Sequence, residues 1–311
     1  MKLPLFPLLF LPAIAQADIL SNFSPYLGSS SPDYDASDFS PESVDQDPVR
    51  APFSPADSDF GVQEILGDAT TAPKFHLFGS LDFNVTDNAP AAIAGQEDSS
   101  FYTTALIGGS WQPHIAAGWF ADVGTSMEFF EFERPNALDF QNLNVHAGVV
   151  KTLVDLDDTV FYCRYEYQWL VTGRWSETDY SANRIRTGLQ KVLFARSNQE
   201  LAAGISAAFD IDANPERLER NEFAAELSYT WWFLENLGAT LSWRGALWDF
   251  DSLGRRDWNH TAGLGIQWRT CPHSTLYANI YYSNNDSNTP LGVNDFEAWN
   301  AGIGVGLNYS F

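Results

Sequence analysis

The chain has 311 residues, with 23 Phe, 12 Tyr, 11 Trp and 22 Gly, only two Cys, and a formal net charge of −23 at pH 7. So acidic a chain lacks the basic footprint of a nucleic-acid binder, and nucleic acid is excluded as a partner. Past the N-terminus no apolar run reaches the roughly 18 residues of a membrane helix, and Cys163 and Cys271 are too few and too far apart for a disulfide-stapled fold or a thiolate metal site.

Met1-Lys2 precedes an apolar run from Leu3 to Ala15 that is interrupted by Pro4, Pro7 and Pro12. The prolines oppose a stable buried helix, and Ala15-Gln16-Ala17 is the small-x-small pattern of a signal-peptidase site. Residues 1–17 are expected to be a signal peptide, with Asp18 first in the mature chain.

Residues 18–73 hold eleven acids against a single base, Arg50, and much of the remainder is Ser and Pro. Few apolar residues and many like charges cannot offset chain entropy, so the expectation is a disordered acidic periplasmic segment. Phe-Ser-Pro occurs in it three times, at Phe23, Phe39 and Phe53, which reads either as a set of short contacts with a periplasmic partner or as drift in a biased composition. Val62, Ile65 and Leu66 have helical spacing and hint at an amphipathic turn.

From Lys74 the pattern changes to period-2 alternation, the mark of a strand with different solvents on its two faces. About twelve such segments follow: 74–86, 101–112, 115–131, 140–153, 158–172, 180–195, 198–210, 219–233, 236–249, 257–269, 272–284 and 295–311. Many match or exceed the roughly 9 to 11 residues that cross a bilayer at a tilt. Alternate links are tight (Gln112-Pro113-His114, Ser197-Asn198, Glu235-Asn236, Cys271-Pro272), with Asp155 to Asp158 a little longer, whereas 87–100, 211–218, 250–256 and 285–294 are longer and polar. Short turns on one side and longer loops on the other are expected of an outer-membrane barrel.

Aromatic residues gather at the strand ends, with Trp111, Phe194, Trp231, Phe233, Trp268, Tyr309 and Phe311 towards the turn side. Phe129, Trp169, Phe209, Phe223 and Tyr282 lie towards the loop side, as interfacial girdles require. The fold expectation is all-β: a transmembrane antiparallel up-and-down β-barrel of about 12 strands over residues 74–311, preceded by a disordered segment. Its surroundings would be outer-membrane lipid.

The last strand, ending Gly306-Leu307-Asn308-Tyr309-Ser310-Phe311, resembles the terminal segment of bacterial outer-membrane β-barrel proteins of the porin-like kind. The resemblance is residue-specific only there and does not single out a subfamily. It implies that Tyr309 and Phe311 form an assembly signal read by the barrel assembly machinery.

Strand parity assigns the lumen-lining charged residues. Arg164 and Glu166 face inward if Cys163, Tyr165 and Tyr167 face lipid, and the same logic sends Glu128, His146, Arg184, Arg186, Glu226, Arg244 and Arg269 inside. A charge on the lipid face at the midplane would cost about 2 to 4 kcal/mol, so joint inward placement favours this register. Lys191 breaks it, unless a bulge or snorkelling intervenes. A twelve-stranded barrel has a backbone diameter of about 25 Å, which inward side chains reduce to a small pore or a plugged interior.

The function expected is a passive channel for small polar solutes or ions. The alternatives are a non-conducting structural or interaction barrel working through its acidic segment or surface loops, and a soluble exported β protein. A hydrolase needs a Ser within reach of a His base, and none of His76, His114, His146, His260 and His273 has a Ser two residues away on the same strand face, so no enzyme activity is expected. No cofactor or metal is expected either, since neither ligand spacing nor a phosphate loop occurs.

Overall fold

The computed structural model describes residues 49–51, 63–65 and 75–310, except 90–96, 117, 134–137, 154–155, 157–158, 173–176 and 290–293. For 49–51, 63–65, 172 and 177–179 it describes the main chain alone. The signal peptide expected at 1–17, the Phe-Ser-Pro repeats, nearly all of the segment expected to be disordered and Phe311 lie outside the described residues. Within that segment two short strands, β1 (Val49–Ala51) and β2 (Gln63–Ile65), pair antiparallel. The spacing of Val62, Ile65 and Leu66 had suggested a helical turn; Ile65 instead pairs with Val49 in extended backbone.

Thirteen further strands follow: β3 (Phe75–Thr86), β4 (Ser100–Trp111), β5 (His114–Ala116), β6 (Trp119–Phe132), β7 (Phe140–Leu153), β8 (Thr159–Thr172), β9 (Glu177–Arg196), β10 (Gln199–Asn214), β11 (Asn221–Leu234), β12 (Leu237–Phe250), β13 (Arg255–Cys271), β14 (Ser274–Ser287) and β15 (Phe296–Ser310). All but the short β5 form a ring in which each strand pairs antiparallel with its neighbours. β15 returns beside β3, with Ser310 opposite His76 and Asn300 opposite Thr86, and β4 pairs with β6, so no edge is left open. Closure satisfies every strand's backbone within the ring, which is what a hydrocarbon environment demands.

The segment expected as one strand over 115–131 is two. The chain turns at Gly118, whose φ of 69° is left-handed and suits glycine, and β5 is a short flap folded onto the start of β6. The remaining boundaries agree within a few residues, although β9, β10 and β14 run further towards the loop end than alternation alone suggested. The links 197–198, 235–236 and 272–273 have two residues each, whereas 87–99, 133–139, 215–220 and 288–295 are longer. The barrel therefore has a turn end and a loop end, and both the first and last strands reach the turn end.

Alternation follows the pleat. In β3, Phe75, Leu77, Leu81, Phe83 and Val85 are exposed on the outer wall while His76, Phe78, Asp82, Asn84 and Thr86 are buried inside. In β15, Trp299, Ile303, Leu307 and Tyr309 point out and Asn300 points in. Exposed large apolar side chains recur around the ring, including Ile107, Ile185, Ile205, Leu241, Ile266 and Ile280. A soluble β protein would bury these residues; here they cover the outside, as a lipid-facing surface requires.

Aromatic residues occupy the ends of this belt. Phe75 stacks on Trp111 and Trp231 meets Phe233 edge-on at the turn end; Phe209 meets Phe223 and Tyr282 packs on Trp299 towards the loop end.

A candidate channel lumen

The inward residues of β6 to β12 include an unbroken ladder of alternating charge. His146 Nε2 lies 3.4 Å and Arg164 Nη1 3.7 Å from the Asp122 carboxylate, which also accepts from Gln112 at 2.9 Å. Arg164 approaches Glu166 at 3.8 Å, and Arg186 binds Glu166 at 3.1 Å and Glu222 at 3.0 Å. Arg244 binds Glu222 at 2.9 Å and Glu226 at 3.2 Å, and the Trp248 indole N–H donates to Glu222 at 2.7 Å. Four carboxylates thus alternate with three guanidiniums along the inner wall.

Small residues make that reach possible. Gly148 on β7 stands opposite Arg164 on β8, and a Cβ there would come within 2.6 Å of the arginine's own Cα and Cβ. Arg186 on β9 contacts Glu222 on β11 by passing over β10, where Gly204, Ser206 and Ala208 are the facing residues. A longer side chain on β10 would separate the two halves of the ladder.

The opposite wall has different chemistry. No Lys or Arg occurs between residues 75 and 133 or after Arg269, so β3, β4, β14 and β15, which form this wall, contribute none to the lumen. Asp82 accepts hydrogen bonds there from Ser80 at 2.9 Å, Thr104 at 3.2 Å and the Tyr277 hydroxyl. The Tyr102 and Tyr281 hydroxyls bond each other at 3.0 Å. The inward glycines of β15 leave room for these groups: a Cβ on Gly304 would meet the Tyr277 ring at 2.7 Å. One wall thus carries every lumen guanidinium and the other an Asp with hydroxyls and amides.

At the loop end the interior turns apolar. Phe132, Phe140, Leu170, Tyr180, Trp248 and Phe250 cluster with Leu138 and Leu218, which fold inward from the β6–β7 and β10–β11 connections. The ladder lies beneath this cap and is enclosed: Arg164 is 2% exposed and Glu222 3%.

Every charged residue that parity sends inward is found there. Glu128, His146, Arg164, Glu166, Arg184, Arg186 and Arg244 are buried, while Glu226 and Arg269 are half-buried. Arg164, Glu166, Arg186, Glu226, Arg244 and His146 share the ladder. Arg184 pairs separately with Asp210 at 2.9 Å, Glu128 accepts from Asn142 at 3.1 Å, and Arg269 lies 3.9 Å from the Trp232 ring centroid at the turn end.

Asp82, Asp122, Asp210, Arg220, Glu222, Arg255 and Asp257 were not singled out from the sequence. Asp122 and Glu222 have the parity of Glu128 and Glu226, so that signal was present. Arg220 and Arg255 lie at strand ends, where parity has little length to act on.

Lys191 faces outward and reaches the Leu156 carbonyl at 3.2 Å in the β7–β8 link. Just beyond it the register shifts, with Ala202 opposite Val192 but Leu201 opposite Phe194. The bulge lies beyond Lys191 and leaves its outward direction unchanged, whereas its reach to a carbonyl in the link is that of a snorkelling side chain.

A Ser does reach a His, although from a neighbouring strand. His76 Nδ1 lies 2.8 Å from Ser310 Oγ across the β3–β15 closure. Among the described residues no carboxylate bonds the other ring nitrogen, so no orienting acid completes a catalytic arrangement. The described residues include no group of three or more His, Cys, Asp or Glu side chains able to hold a metal. Cys163 and Cys271 are both free.

No protein-family model matches the chain, and no curated protein matches it. Among solved structures it is similar to an outer-membrane channel from Pseudomonas putida F1, with 9% identity over 78% of this chain and 98% of that one, at a TM-score of 0.53. It is also similar to the outer-membrane channel DcaP of Acinetobacter baumannii, with 8% identity over 76% of this chain and 97% of that one, at a TM-score of 0.42. The first likeness covers over three quarters of this chain and nearly all of that channel: the fold is that of a bacterial outer-membrane β-barrel.

Proposed function

We propose that this outer-membrane-type barrel is a passive channel for small polar solutes or ions. The observation that carries the reading is a closed twelve-stranded ring, apolar outside, whose interior is lined by charged and polar side chains. A barrel needed only as a rigid body could fill its interior with apolar side chains at lower desolvation cost. The similar structure from Pseudomonas putida F1, described as an outer-membrane channel, agrees with it.

The filled ladder and the cap imply a narrow path whose conductance depends on side-chain movement. The measurement is single-channel conductance of the refolded chain from Asp18 in a planar bilayer, beside one starting at Lys74. Steady small conductance is expected; silence from both, with the barrel shown to be folded, overturns the reading. The deep burial of Arg164 and Glu222 favours a second reading, a non-conducting structural or interaction barrel, which that silence would select.

The acidic segment belongs on the periplasmic side in this proposal, because β3 starts at the turn end. Part of residues 56–73 then lies in or beneath the lumen opposite its guanidiniums, and truncation to Lys74 raises conductance. Unchanged conductance would leave the segment as a tether for a periplasmic partner, testable by pull-down. Tyr309 and Phe311 are proposed as the signal read by the barrel assembly machinery, and deleting Phe311 is expected to lower the amount of folded barrel in the outer membrane.

A further inference from the structure

Arg220 directly precedes β11 and shares the inward parity of Glu222. It is 4% exposed. Its main-chain N–H donates to Asp210 at 3.1 Å, and its guanidinium lies over the Trp248 ring, 4.7 Å from the centroid. Among the described residues nothing accepts a hydrogen bond from that guanidinium, and its Nε is enclosed without a partner. The other buried arginines each stand beside a carboxylate: Arg164 with Asp122, Arg184 with Asp210, Arg186 with Glu166, Arg244 with Glu222 and Arg255 with Asp257. The Arg220 Nε has given up hydration that no hydrogen bond from the described residues replaces.

Its surroundings resemble half of a binding site. Asn221 pairs with Asp249 and Phe250 with Arg255, so Arg220, Phe250 and Arg255 form one row across three strands. The Arg255 guanidinium covers the Phe250 ring at 3.7 Å from its centroid. Its Nε is 3.1 Å from Asp257 but lacks hydrogen-bond alignment. Two guanidiniums thus stack on neighbouring aromatic rings, and Arg220 is near enough to act electrostatically on Glu222, Arg255 and Asp257. A stacked guanidinium keeps its N–H edge free, and that fork fits the oxygens of a carboxylate or phosphate.

We propose that Arg220 and Arg255 form an anion-binding site on the inner wall at the level of the loop-end cap, taking small solutes that carry a carboxylate or phosphate group. This deepens the channel reading and rests on it, making the site the selective station on the solute's path. Trp248 links it to the ladder, because the same indole that backs Arg220 donates to Glu222.

The test titrates the refolded chain from Asp18, in detergent micelles, with inorganic phosphate and separately with acetate, by calorimetry. Arg220→Gln is compared with Arg196→Gln, an exposed residue at the turn end, and folding is checked by heat-dependent migration on gels. Saturable binding is expected, weakened roughly tenfold or more by Arg220→Gln through loss of a charge-assisted fork, and unchanged by Arg196→Gln. Arg255→Gln, the second variant should the first not fold, is expected to weaken binding as well. Absence of saturable binding of either anion, or equal affinity in the folded variants, overturns the site. Binding without conductance would keep the site and retire the channel; conductance without binding would do the reverse.

Discussion

Glu222 illustrates how single residues hold the interior together. It accepts from Arg186, Arg244 and the Trp248 indole, so it neutralises two guanidiniums that reach it from opposite directions. Glu222→Gln removes the charge and leaves both facing an amide. Breaking a buried pair by removing one partner costs about 3 to 5 kcal/mol, so a loss near the lower figure is expected, because Glu166 and Glu226 still serve the two arginines. Urea unfolding in micelles followed by tryptophan emission checks it; a change under about 1 kcal/mol would mean that the ladder is solvated rather than enclosed. The inward direction of Glu222 was legible from parity. Its three simultaneous partners were not, because they come from β9 and β12 and none from its own strand.

Among elements, β7 and β9 show what alternation requires and what it leaves open. Ile185 faces out near the middle of β9, between the inward Arg184 and Arg186. Ile185→Arg is expected to destabilise the folded barrel by about 2 to 4 kcal/mol in lipid vesicles, the cost of a charge at the membrane midplane. Ala208→Arg, on the inner face of β10 directly between Arg186 and Glu222, should escape that lipid cost and instead block the crossing of Arg186, reducing any conductance.

Gly148 is a different constraint. Its Cβ would collide with the Cα and Cβ of Arg164, atoms fixed by the β7–β8 pairing, so Gly148→Ala is expected to cost about 1 to 3 kcal/mol as overpacking. Urea titration of refolded protein reads the shift. A period-2 reading notices only that glycine occupies an inward position. Which residue needs the space depends on the register with β8, and register is not written in either strand alone.

For the whole molecule, the decisive features are closure and the cap. β3 and β15 are more than two hundred residues apart in sequence and pair along most of their length, which converts a sheet into an enclosed lumen. At the loop end, Leu138 and Leu218 complete an apolar cover over the ladder. Apolar constrictions oppose the passage of water and ions. Leu218→Asp, alone or with Leu138→Asp, is therefore expected to raise single-channel conductance in a planar bilayer without altering heat-dependent gel migration. Unchanged conductance in the folded variants would place the narrowest point at the ladder.

The sequence by itself determined the all-β class, the twelve strands of the ring, the inward charges and the turn and loop ends. These follow from period-2 alternation and link length, which are local properties. Only the tertiary structure decided which inward charges meet. It also decided that Arg220 is left with an aromatic ring for company, that the loop end is capped by Leu138 and Leu218, and that Ser310 lies against His76. Each of these depends on cross-strand register and on ring closure, which fix distances between residues far apart in the chain. Alternation specifies the face on which a side chain stands, but its neighbours on that face are set by the strands that fold alongside it.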